Sequence, residues 1–168
     1  MKPLEPPDSH YVSAAAGWLG LGNWQEAAEE LKRVNPLWAS HPEVLAVRYE
    51  ILAKAGHWEL AAATALAWTK KAPGERGAWI AQAYATRRKP GGGIPLAKGI
   101  LAAARQRFPD EPLIAYNLAC YECQLGNLPQ ARTWLREAFK LGDARQFKQM
   151  SLQDPDLEPL RAEIGPME

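Results

Sequence analysis

The chain has 168 residues, 47% of them apolar, and a formal net charge of +1. That length suits one compact domain or one short repeat array, and the apolar content excludes a disordered chain. The near-neutral balance argues against a protein built to neutralise nucleic-acid phosphates or to coat an anionic membrane, and no apolar run approaches transmembrane length.

Residues 1–8, MKPLEPPD, are Pro-rich and predicted to form a flexible segment. The stretch carries neither the apolar centre nor the cleavage pattern of a secretory signal, so a bacterial-type cytoplasmic location is expected. Helices are then predicted over Ser9–Leu21 and Trp24–Val34, with a loop over 35–41 in which Ser40 or His41 caps the next helix. That helix runs from Pro42 to Ala55, and Trp58–Lys71 follows before Pro73-Gly74 breaks the chain. Further helices are predicted over Glu75–Arg88 and Pro95–Phe108.

The clearest periodicity comes next. Ile114, Leu118, Tyr121 and Leu125 recur at helical spacing, Gly126-Asn127 interrupts them, and Leu128, Ala131, Leu135 and Ala138 resume the pattern up to Gly142. A glycine closing one helix and an asparagine capping the next define a helical hairpin with a short turn, and Pro129 sits in a first turn where its missing N–H costs nothing. Asp143 is placed to cap a short helix reaching Met150, and Asp154-Pro155 opens a last helical turn or two.

The hairpin repeats. Gly22-Asn-Trp-Gln-Glu-Ala27, Gly56-His-Trp-Glu-Leu-Ala61, Gly92-Gly-Ile-Pro-Leu-Ala97 and Gly126-Asn-Leu-Pro-Gln-Ala131 share a glycine, a cap-like residue, a large apolar residue and an alanine. From Ala27 to Ala61, Ala97 and Ala131 the steps are 34, 36 and 34 residues, and the KPGGG run at 89–93 is the natural place for the two extra.

These phrases resemble the tetratricopeptide repeat family, whose unit is a 34-residue helix–turn–helix. Trp79, Ala83, Gly92, Ala97, Ala104 and Pro109 match the pattern, as do Asn117, Leu118, Ala119, Gly126, Ala131 and Ala138. The Tyr116–Cys120 phrase looks like a common bacterial version, and Asp154-Pro-Asp-Leu-Glu-Pro-Leu160 looks like the tail that often closes such arrays. The resemblance implies an all-α fold, a right-handed superhelical array of about four repeats over 9–142 with a capping tail over 143–168. Repeats are expected at 9–41, 42–75, 76–111 and 112–142. Tyr49 departs from the pattern, because a bulky residue where a small one is preferred should pry its helix pair apart unless its neighbours compensate. The tryptophans Trp24, Trp58, Trp68, Trp79 and Trp134 are expected to pack the core.

In this family the first helix of each repeat lines a concave groove. Carried over, that rule gives a candidate partner-binding set of Glu50, Lys54, Tyr84, Arg87, Arg88, Tyr116, Asn117, Cys120 and Gln124. Tyrosine and arginine combine contact area with directional hydrogen bonds, and Asn117 can both donate to and accept from a peptide backbone. The expected function is therefore a non-enzymatic adaptor holding a partner peptide or segment, with a secretion-type chaperone as the alternative. The lysine, asparagine and arginine clamp that grips heat-shock chaperone tails is missing, since Val12, Ala16, Val47, Gly77 and Ala81 occupy its places.

Cys120 and Cys123 form a CxxC that could serve a thiol- or metal-dependent protein. They fall mid-helix, where i,i+3 Cβ atoms are ~5–6 Å apart and a disulfide needs about 3.5–4.5 Å. No second CxxC or histidine pair completes a zinc site. Arg87, Arg88 and Lys89, with Arg105 and Arg107, make the densest positive region. No catalytic motif is present, so no enzyme, metal or other cofactor is expected. The expected partner is a protein or peptide rather than nucleic acid or membrane, with the chain a monomer or weak homodimer.

Overall fold

The computed structural model describes residues 2–165. Ten α-helices and two 3₁₀ segments account for its secondary structure, and no strand occurs among the described residues. The chain divides into two compact units, Met1–Gly93 and Ile94–Glu168. The boundary falls at the end of the KPGGG run, so the two helices of the expected third repeat belong to different units.

The first unit contains α1 (Asp8–Gly20), α2 (Trp24–Lys32), α3 (Pro42–Lys54), α4 (Trp58–Lys71) and α5 (Arg76–Arg88), with a 3₁₀ turn at Pro36–Trp38. Helices α1 and α2 pair as one hairpin and α3 and α4 as the next, while α5 packs on α4. Helix α3 also touches α1 on one side and α5 on the other, so the first helices of successive repeats form one face. Small residues make these approaches possible: Ala27 and Ala61 are completely buried. Around them Val12, Leu19, Leu31, Val44 and Ile51 form an apolar core, each such side chain contributing roughly 1.5–3 kcal/mol on full burial.

Within the Pro-rich stretch 1–8, Leu4 is buried in that core and the Lys2 carbonyl faces His41 Nε2 at 3.1 Å. Helix α1 starts at Asp8, whose carboxylate accepts from the Asn35 N–H at 2.7 Å and so ties the helix start to the loop after α2. Residue 1 lies outside the described residues. Tyr49 is accommodated because alanines face it. Its ring tilts against Trp68 with centroids 6.5 Å apart, and it packs with Leu52 and Trp58 over Ala61, Ala62 and Ala85.

The second unit contains α6 (Ile94–Arg107), α7 (Pro112–Gln124), α8 (Leu128–Leu141), α9 (Ala144–Gln153) and α10 (Arg161–Ile164), with a 3₁₀ segment at Pro155–Leu160. Helix α7 is central, packed by α6, by α8 and by the 3₁₀ segment. Burial consequently runs all round it, from Ile114 to Tyr116 and from Leu118 to Cys123. Gly126 turns α7 into α8 with φ +77°, the left-handed region where a side chain is strained, and Gly22 and Gly56 do the same in their hairpins. Gly92 differs. It lies outside the left-handed region, and what requires glycine is space, since a Cβ there would come within 1.9 Å of the Thr86 carbonyl oxygen.

Asn127 does not cap α8. Its amide donates instead to Glu122 at 3.1 Å, and Lys98 pairs with the same carboxylate at 2.7 Å. Glu122 is buried, and these two partners offset the cost of desolvating its charge. Asp143 does cap α9, accepting from the Gln146 N–H at 3.0 Å. The tryptophans expected in the core are half-buried, with their ring N–H groups used where an acceptor is near. Trp68 donates to Glu75 at 2.7 Å and Trp79 to the Pro73 carbonyl at 3.0 Å.

Candidate functional site

The nine candidate groove residues fall on three helices, and the structure treats them as two separate sets. Glu50 and Lys54 lie one turn apart on α3, and Tyr84, Arg87 and Arg88 lie in the last turns of α5. All five belong to the first unit. Tyr116, Asn117, Cys120 and Gln124 lie on α7 of the second unit.

In the first unit two of the five, Tyr84 and Arg88, form an aromatic platform with Trp58. The Arg88 guanidinium lies over the Tyr84 ring at 3.4 Å from its centroid and over the Trp58 ring at 5.4 Å. The two rings are themselves 5.9 Å apart in a tilted arrangement. Position 88 follows 84 by one helical turn, so the arginine folds back over the tyrosine, and its Nη1 donates to the Tyr84 carbonyl at 3.2 Å. A guanidinium carries five N–H donors, and no carboxylate pairs with this one among the described residues. Tyr84 keeps 39% of its surface exposed, and Glu50 and Lys54 are exposed on α3. Trp58 was read from sequence as core. Its part in the platform has no local signature, because it depends on the α4–α5 packing.

In the second unit the candidate face is already filled. The Tyr116 hydroxyl donates to Asp154 Oδ2 at 2.7 Å, the Cys120 thiol approaches the same oxygen at 3.6 Å, and Gln124 Nε2 donates to the Asp156 carbonyl at 3.0 Å. Leu157, Leu160 and Ile164 are fully buried behind these contacts, and Arg132 clasps Glu163 through two bonds of 2.6 and 2.7 Å. The Arg132 guanidinium holds the Glu163 carboxyl below its usual range. The expected capping tail thus lies along α7, and its last three residues, 166–168, are outside the described residues. Asn117 is spent on its own helix, donating to the Leu113 carbonyl at 2.7 Å.

The thiols follow from this arrangement. Burial, reinforced by the Asp154 and Asp156 carboxylates, pushes the Cys120 thiol well above its ordinary range, and burial raises Cys123 as well. Burial likewise raises the Tyr116 hydroxyl. Such surroundings favour the protonated thiol, the inert form toward both electrophiles and metals. The Cys120 sulfur and carboxylate oxygens of Asp154 and Asp156 do lie within 4.8 Å of one another. Asp154 is nevertheless committed within the protein, since it also accepts from the Asp156 N–H at 2.9 Å. The positive region expected around Arg87 loses Arg105, which pairs with Glu137 at 2.8 Å.

The fold defines a class: an all-helical repeat array of the tetratricopeptide type. Among solved structures it is similar to MamA, a tetratricopeptide-like protein, in the structure titled "MamA RS-1 ArsTM double mutant". The TM-score is 0.70 at 15% identity, over 84% of this chain and 79% of that one. No family model and no curated protein sequence matches the chain. No helix among the described residues is long and apolar enough to cross a membrane.

Proposed function

We propose that the protein is a non-enzymatic adaptor that binds a segment of a partner protein along the α3–α5 face, with Tyr84 and Arg88 as the principal contacts. One observation carries this reading: an exposed tyrosine bears an arginine stacked on two aromatic rings, with most of the guanidinium donors still available. Such a group loses little rotamer freedom on binding, because stacking has already ordered it, and buried tyrosine–arginine pairs dominate many interfaces. Glu50 and Lys54 would fix register from the neighbouring helix. The α7 positions enter this proposal as the seat of the tail rather than as partner contacts.

The test is capture of a partner with three folded baits: wild type, a Tyr84→Ala/Arg88→Ala variant and an Asn117→Ala/Gln124→Ala variant. Circular dichroism establishes that each is helical. A protein held by wild type and by the α7 variant, but lost by the α5 variant, supports the proposal. Equal capture by all three refutes it. A secretion-type chaperone would use the same face, and a captured protein encoded beside the bait would select that alternative.

A further inference from the structure

Away from the α7 face, α8 and α9 enclose a cleft of about 400 Å³ lined by Arg136, Phe139, Lys140, Ala144 and Lys148. That volume lies toward the small end of ligand sites, roughly 300–1,000 Å³, and admits a short segment rather than a folded domain. Arg136 and Lys140 are four residues apart on α8 and share a face, and Lys148 comes from α9. Phe139 is buried at the base of the cleft, with the Lys148 ammonium 5.9 Å from its ring centroid.

The charge around this cleft is unbalanced. Helix α8 carries one acid, Glu137, α9 carries none, and Asp143 lies between them. Glu137 is paired with Arg105, and Asp143 caps α9. The neighbouring Arg132 is matched by Glu163. Arg136, Lys140 and Lys148 make no ion pair among the described residues. Lys140 sits in the last turn of α8, where the carbonyl ends favour a cation, but neither Arg136 nor Lys148 has that role. Arg136 is within electrostatic reach of Glu163, which Arg132 already holds, while Lys140 and Lys148 line the apolar cleft with no ion pair among the described residues.

We propose that this cleft is a docking site for an acidic peptide segment of a partner protein, its carboxylates meeting Arg136, Lys140 and Lys148 while an apolar side chain enters against Phe139 and Ala144. The acidic and apolar requirements follow from the lining cations and the Phe139 ring. The site is independent of the α3–α5 face, so either proposal can fail without the other.

The probe is a fluorescein-labelled peptide, Gly-Glu-Leu-Glu-Glu-Leu-Glu-Gly, titrated by anisotropy against the full chain, with its Glu→Gln counterpart as control. The expected result is saturable binding of the acidic peptide, weakened by at least about tenfold in Lys140→Gln/Lys148→Gln. Binding should fall as salt rises, be absent for the Gln peptide and be unchanged in Tyr84→Ala. Lys140 is exposed and Lys148 half-exposed, and unchanged thermal unfolding of the double variant would exclude misfolding as the cause. Equal binding by wild type and the double variant, or no binding at all, overturns the proposal. So does co-sedimentation with phosphatidylserine vesicles, lost in the double variant, without peptide binding; that result assigns the cations to a lipid surface.

Discussion

Leu157→Ala tests whether the tail is part of the fold of the second unit. Leu157 is wholly buried against the α7 side of that unit, so truncation removes its transfer energy and leaves a void. Leucine-to-alanine changes in cores cost about 2–5 kcal/mol, the higher values where the site cannot collapse. A 3₁₀ segment close to the chain end can relax in part, which places this one at about 3 kcal/mol. At roughly 0.05–0.15 kcal/mol per residue, Ile94–Glu168 is worth roughly 4–11 kcal/mol in all, so the loss is a large fraction. The corresponding fall in melting temperature is roughly 12–24 °C for a cooperative unit of this size. Urea unfolding followed by circular dichroism gives the free energy, with Leu152→Ala, 41% exposed on α9, as a control expected within about 0.5 kcal/mol of wild type. A loss below about 1 kcal/mol for Leu157→Ala would show that the tail rests on α7 without being integral to it.

Three further outcomes follow from single observations. Cys120 and Tyr116 have folded-state values raised above their unfolded ones of about 8.5 and about 10. Their stabilising contribution is therefore whole below about pH 8.5 and is lost as pH rises toward the folded values. Each ionising group should steepen the decline by about 1.4 kcal/mol per pH unit, and Cys120→Ala should remove one thiol's share of its first part and leave that of Cys123, as urea midpoints between pH 7 and pH 11 would show. Gly126→Ala forces a side chain into φ +77° with no steric contact to blame, so it should destabilise by about 1–2 kcal/mol. Gly99→Ala, in open space within α6, should instead stabilise by about 0.5–1 kcal/mol. Equal effects of the two glycine changes in thermal unfolding would contradict the backbone argument.

The repeat was legible because its signal is local and periodic. Ala27, Ala61, Ala97 and Ala131 were aligned by spacing alone, and all four are fully buried. The left-handed turns at Gly22, Gly56 and Gly126 were marked by glycine for the same reason. What could not be read was the destination of a segment far along the chain. The motif Asp154-Pro155-Asp156 announces a tail, but nothing near Tyr116 or Cys120 in sequence says that the tail lies across them. The same limit applies to Trp58, which meets Arg88 only through the packing of α4 on α5. Asn127 illustrates a competition: Glu122, one turn back across the hairpin and already buried, outbid the α8 amides for its side chain.

A photoreactive amino acid placed in turn at positions 50, 54, 84 and 88, and at the exposed α4 positions 60 and 66, tests directly whether a partner segment lies on the α3–α5 face. One partner should crosslink through positions 50, 54, 84 and 88, with little yield from 60 and 66. Crosslinks concentrated at 60 and 66, with the α3 and α5 positions silent, would contradict it.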